Sequence, residues 1–197
     1  MSGGLIAFLA TMAGVALWAV MTYNRFVASR NRFLNAFAQI DVQLKRRYDL
    51  IPNLVNATRG YLRHERETLE AVIQARQRAM SAERQARSFP GDAGALAALG
   101  AAETALGGQL TRLFALAEAY PELKADSAVA SLIEELVSTE NRISFARQAY
   151  NDQVATYNIE IESFPAALVA RASGFDVAAL LQATSHEGER HAVAVAL

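Results

Sequence analysis

Residues Val129–Phe164 read VASLIEELVSTENRISFARQAYNDQVATYNIEIESF, and the spacing of the apolar side chains in this stretch decides the fold. Val129, Leu136, Ile143, Tyr150, Tyr157 and Phe164 stand seven apart, flanked by Ile133, Val154 and Ile161. Seven residues are close to two turns of α-helix, so the repeat lines up on one face, whereas a strand would alternate every second residue. The stretch predicts one long helix with a packed seam, stopped by Phe164-Pro165. The partner seam lies upstream. Phe26, Phe33 and Ile40 form one heptad line and Phe37, Leu44 and Ile51 another, and the pattern resumes after Pro52 with Val55, Leu62 and Leu69 beside Leu54, Tyr61, Val72 and Ile73. Proline removes a helical donor and clashes with the preceding turn, so Pro52 is expected to kink or briefly interrupt that helix.

Between these two stretches, Phe89-Pro90-Gly91-Asp92 and Tyr120-Pro121-Glu122 are chain breaks. They bound a helix of about Asp92 to Tyr120 with Leu96, Leu99, Leu106, Leu110, Leu113 and Phe114 on its apolar face. Gly107-Gly108 inside it predicts a kink or a close helix contact, and Asp126 or Ser127 is placed to cap the next helix. The expected fold is all-α: an N-terminal transmembrane helix followed by a long antiparallel up-and-down helix bundle, in which one outgoing limb is answered by two shorter returning helices. Charge agrees with such pairing. The chain of 197 residues carries 19 basic and 20 acidic side chains, yet up to Pro90 there are 13 basic and 6 acidic, and thereafter 6 and 14. A basic limb against an acidic one sets register and partner choice, within a chain or between copies, more than it adds stability.

No charge occurs from Met1 to Asn24, and Leu5, Ile6, Phe8, Leu9, Val15, Leu17, Trp18 and Val20 are apolar anchor residues. Twenty helical residues rise about 30 Å, the thickness of a bilayer's hydrocarbon core. No Lys or Arg precedes the run, which disfavours a cleaved signal peptide, and Trp18 and Tyr23 suit a headgroup layer. Arg25, Arg30 and Arg32 follow as interfacial basic residues, and by the positive-inside rule they hold the body in the cytoplasm. The domain expectation is an anchor over 1–23, a helical bundle over 24–175 and a variable tail over 176–197.

Candidate chemistry is sparse. The chain has no cysteine and 3 histidines. His186-Glu187-Gly188-Glu189-Arg190-His191 misses the spacing of a zinc-protease helix by one residue, and Gly188 disfavours helix there. Glu134-Glu135 with Glu140-Asn141-Arg142 interrupts the seam; carboxylate metal sites in bundles add Glu-x-x-His pairs, which are absent here, so a hydrogen-bonded, register-setting cluster is expected. Lys45-Arg46-Arg47 is too small and too closely flanked by Asp41 and Asp49 for nucleic acid. No catalytic, metal or cofactor residue is expected, and none of the usual phosphate loops or nucleophile elbows occurs.

The runs Tyr23–Val27, Arg30–Arg32 and above all Gln39–Val55 (QIDVQLKRRYDLIPNLV) closely resemble the LemA family, as do Gly60-Tyr61, His64-Glu65, Ala119–Ala125, Thr139–Ile143, Tyr150-Asn151, Tyr157-Asn158, Phe164-Pro165 and Gly174-Phe175. The resemblance covers about Tyr23 to Phe175 and departs from the family pattern beyond. It implies a bacterial inner-membrane protein with an N-terminal anchor, a bundle body, no cofactor and no established catalysis, with some members linked to vesicle or organelle formation. The expected partners are membrane lipid, further copies of the chain in a homo-oligomer, and as the alternative an envelope protein. At the C-terminus, His191–Leu197 alternates in a way that suits a strand, and tails gathered from several chains into a small sheet are one expectation.

Overall fold

A computed structural model describes residues 2–181. Six helices occur among them: α1 (Ser2–Thr58), α2 (Arg66–Ser88), α3 (Ala93–Ala119), α4 (Pro121–Lys124), α5 (Ser127–Glu162) and α6 (Ala166–Ser173). There is no strand among the described residues. The expected strand at His191–Leu197 and the near-zinc motif at His186–His191 both lie outside the described residues.

α1, at 57 residues, would span about 85 Å, and its two ends do different things. Residues 3–18 are exposed all round, and Thr22 is the first buried side chain. From Phe26 onward the heptad lines dive into the core: Phe26, Phe33, Phe37, Ile40, Leu44 and Ile51 are all buried. α5 runs antiparallel beside this half of α1 and buries Val129, Leu136, Ile143, Tyr150, Val154, Tyr157 and Ile161 against it. The facing side chains are aromatic. Phe33 tilts against Tyr157 at 5.0 Å between centroids, and Phe37 meets Tyr150 edge-on at 5.7 Å.

Phe164 is a correction to the seam. It is 85% exposed, the most exposed large apolar side chain among the described residues. α5 ends at Glu162, Ser163 is extended at ψ 132°, and the Phe164–Pro165 bond is cis. A residue before proline is pushed out of the α region, so the heptad count runs one position past the end of the helix that it describes.

The outgoing limb also differs from expectation. α1 passes through Pro52 without ending and stops six residues later at Thr58. Proline withholds the N–H that would bond to the carbonyl four residues back, which is that of Tyr48. Arg76 of α2 takes up that carbonyl, its Nε donating to Tyr48 O at 2.6 Å. The break comes instead at 59–65, where Arg59 N and Leu62 N still donate to Val55 O and Thr58 O and the chain reverses. α2 therefore returns along α1 toward the anchor, and α3 runs outward again. The body is an up-down-up-down bundle of α1, α2, α3 and α5 in which the limb expected to be single is a hairpin.

Local chemistry sets the remaining ends. Asp92 Oδ1 accepts from Ala95 N at 2.7 Å and starts α3; Asp126 Oδ1 accepts from Ala128 N and Val129 N and starts α5. α3 continues unbroken through Gly107-Gly108; a Cβ at Gly107 would stand at an ordinary contact distance, 3.8 Å, from Arg47 Nη2 and one at Gly108 would meet open space, so the close helix contact expected of the pair is not found.

Candidate functional site

The described features with functional potential are the anchor, two buried charge clusters, a clamped C-terminal strap and a basic cleft at the far end. All eight anchor residues, from Leu5 to Val20, are exposed, and α1 is the one described helix long and apolar enough to cross a membrane. The basic residues behind it are less free than the sequence suggests. Glu160, at the end of α5, lies 3.1 Å from Arg25 Nε and 3.8 Å from Arg32 Nη2, while Arg30 is exposed.

Halfway along the bundle, Arg47 is buried between α1, α3 and α5. Its Nη1 donates to Glu103 Oε2 at 3.0 Å and lies 2.8 Å from Glu140 Oε2, while Tyr48 Oη donates to Glu103 Oε1 at 2.5 Å. Burial pushes the Glu103 carboxyl up, against the opposing pull of Arg47 and the Tyr48 hydroxyl. Burial and the neighbouring Glu103 charge hold the Tyr48 phenol far above its ordinary range, so it stays a donor. The adjoining cavity is about 20 Å³, room for a water at most, and an open groove of about 250 Å³ lies on the α3–α5 side. The cluster expected from Glu134-Glu135 with Glu140-Asn141-Arg142 is not what is buried: Glu134, Asn141 and Arg142 are exposed, Glu140 is half exposed against Arg47, and Glu135 pairs with Arg46 across the surface, while the buried acid is Glu103 of α3. Every interhelical ion pair described joins the basic first part to the acidic remainder, so this complementarity operates within one chain.

A second cluster joins α1 to α2. Asp41 and Glu83 are both buried and face each other beside Lys45 and Arg87. Burial, then the hydrogen bond to Asp41 and its negative charge, lift Glu83 to about 7. Burial also disfavours the Asp41 anion, but the Glu83 hydrogen bond and Lys45, 2.7 Å away, outweigh it and hold Asp41 below 3.8. Their opposite shifts make Glu83 the more basic of the two carboxyls.

After α6, residues 175–181 run extended along the bundle as a strap. Asn158 Oδ1 accepts from Ala178 N and its Nδ2 donates to Ala178 O, both at 2.9 Å. Asn151 repeats the pairing with Leu181 at 2.9 and 3.0 Å. Tyr157 and Tyr150 hydroxyls donate to Asp176 O and Ala179 O. Seven helical residues rise about 10.5 Å and three extended residues about 10 Å, so two asparagines a heptad apart match a strand's peptides like the edge of a sheet. Ala179 N also donates to Gly91 O at 2.9 Å; Gly91 has φ +93°, and a Cβ there would stand 3.2 Å from that of Ala178. The repeated Tyr-Asn pair was the available sequence signal for this clamp.

At the far end, the reversal at 59–65 leaves an open cleft of about 1010 Å³, floored by Val55, Leu62 and Leu69 and edged by Arg59, Arg63, Arg66 and Glu70. Among the described residues no group of His, Asp and Glu could hold a metal ion.

The chain is 27% identical over 186 residues to magnetosome protein MamQ of Magnetospirillum gryphiswaldense, covering 87% of this chain and 66% of that protein. It is 28% identical over 192 residues to magnetosome proteins MamQ 1 and MamQ 2 of Paramagnetospirillum magneticum, covering 90% of this chain and 68% of each. The chain thus spans about two thirds of the length of these relatives. The model of the LemA family matches residues 36–196, past Phe175, where the resemblance was expected to stop. A helical bundle with an apolar N-terminal rod that carries the Gln39–Val55 run and is matched by the family over most of its length belongs to the LemA family.

Proposed function

We propose that this protein is a non-enzymatic, single-pass protein of the bacterial inner membrane. Its body stands in the cytoplasm and self-associates to organise or remodel the bilayer. The observation that carries this reading is the continuity of α1, which is an exposed apolar rod at one end and core of the bundle at the other. Copies sharing a bilayer are held at high local concentration, which favours weak lateral contacts. Phe145 and Ile159, two heptads apart on α5, are 72% and 66% exposed and offer such a contact. The naming of the relatives as magnetosome proteins agrees with work at a specialised membrane. The buried Arg47 and Glu103 answer each other, in keeping with a structural role. Native mass spectrometry of the detergent-extracted chain is expected to show oligomers that Phe145→Ser with Ile159→Ser disperses; a clean wild-type monomer overturns self-association. A reporter fused after Leu197 is expected to read cytoplasmic, and a periplasmic signal reverses the orientation.

The distal cleft favours a second reading, a membrane-tethered adaptor for another envelope protein. Three arginines over an apolar floor, at the end farthest from the anchor, suit an acidic partner. Crosslinking in cells separates the two: self-links support the array, and one dominant foreign partner supports the adaptor.

A further inference from the structure

The foot of the bundle carries an apolar surface that its own core does not use. Phe164, just before α6, is 85% exposed and Leu168, on α6, is 60% exposed, although the other face of α6 is packed. On that other face Val169 and Ala170 sit against the core, and Phe175 closes the far end, its ring 5.5 Å from Tyr23 and 5.4 Å from Phe26. Leu168 and Arg171, one turn apart on α6, share the outward side, and Arg171 is exposed.

The height of this surface follows from α1. Glu160 lies between Arg25 and Arg32, Phe33 faces Tyr157, and α5 points toward the anchor, so Phe164, seven residues beyond Tyr157, comes about level with Phe26, beside Arg25. Tyr23 and Phe26 bracket the other end of α6 at the same level. This is where the uncharged run of α1 gives way to Arg25, Arg30 and Arg32 and where Trp18 and Tyr23 mark a headgroup layer. An exposed phenylalanine and leucine beside a cation is the composition of an element lying in a membrane interface.

We propose that Phe164, Leu168 and Arg171 form a second lipid contact, a wedge beside the foot of α1 that enters the headgroup layer of an anionic membrane. The wedge rests on the reading of α1 as a membrane anchor. It would turn a tether at one point into a footing at two, fixing which side of the bundle faces the bilayer. Continuity with the anchor and the surrounding arginines make a lipid surface the occupant, rather than a second copy of the chain.

The absence of cysteine makes the test direct. Single-cysteine variants Phe164→Cys, Leu168→Cys, Phe145→Cys and Leu9→Cys of the full chain, labelled with an environment-sensitive fluorophore, are reconstituted into phosphatidylethanolamine–phosphatidylglycerol vesicles. The vesicles contain lipids brominated either shallow or deep in the acyl chain. Phe164→Cys and Leu168→Cys are expected to be quenched at least about twofold more by shallow bromines than Phe145→Cys, which lies higher on α5, with Leu9→Cys quenched best by deep bromines. Quenching of Leu9→Cys without that of Phe164→Cys and Leu168→Cys overturns the wedge and leaves the anchor standing. No quenching at Leu9→Cys overturns the anchor and the wedge with it. A label at position 164 that is unquenched by lipid but shielded in proportion to protein concentration assigns the surface to a second copy and likewise overturns the proposal.

Discussion

The two faces of α1 are joined to the rest of the bundle by different chemistry. Toward α5 the interface is large and aromatic, with Phe33 and Phe37 against Tyr150 and Tyr157. Toward the α2–α3 hairpin it is aliphatic with buried charge set into it: α2 buries Leu69, Val72, Ala75, Ala79 and Ala86 with Glu83, and α3 buries Leu96, Leu99 and Leu106 and brings Glu103 to Arg47 and Tyr48. Apolar burial is strong but tolerant of sliding, whereas a buried charge accepts few positions. The contrast teaches that the aromatic contact belongs to the α1–α5 side, whereas the hairpin adds to its aliphatic packing specific charged contacts that key it to α1.

The largest effect should come from the aromatic side. Phe33→Ala removes a buried ring against two tyrosines and is expected to cost about 4 kcal/mol in denaturant unfolding; a loss under about 1 kcal/mol would break the contrast. Glu103→Ala leaves Arg47 with only the half-exposed Glu140 and Tyr48 without its acceptor, and about 3 kcal/mol should be lost. Hydrogen exchange would show whether the loss loosens α3 ahead of α5, as keying requires. Arg76→Ala should cost about 1.5 kcal/mol in wild type, a charged donor on a free carbonyl. It should cost less once Pro52→Ala restores the helical donor to Tyr48 O, and an unchanged cost in that background would detach Arg76 from the proline.

The smallest effect is a pH slope. Glu83 titrates near 7 when folded against 4.5 ordinarily, so the folded chain binds this proton more tightly. Its stabilising share is present at low pH and is lost as pH rises from about 4.5 through about 7. Asp41, held below 3.8, acts oppositely and only in more acidic solution. Glu83→Gln should therefore flatten the slope between these values and raise Tm near pH 8 by about 2–4 °C. An unaltered slope would place the titration elsewhere.

What the sequence made legible was periodic. The heptads of α1 and α5 repeat locally, and each repeat is an independent vote for the same face. Phe164 was countable as a seventh-residue hit, yet the proline behind it carried the contrary signal, because a pre-proline residue leaves the helix. The reversal at 59–65 has a single glycine and no proline, while the one proline nearby sits inside continuous helix because Arg76 occupies the carbonyl it frees. That exchange, like Asp41 with Glu83 and Arg47 with Glu103, joins residues remote in sequence, and no local period reports it. The asparagine clamp was half visible, as Tyr-Asn repeated at positions 150 and 157.

An unbroken α1 leaves no swivel between the apolar N-terminal rod and the body. From Thr22 to Thr58 is about 54 Å of stiff rod, so a ten-degree tilt of the membrane segment would sweep the tip through about 9 Å. With the anchor proposed above, local thinning or bending of the lipid would be magnified into a lateral stroke at the arginine-edged cleft, and a load applied at the cleft would be delivered back to the lipid as torque.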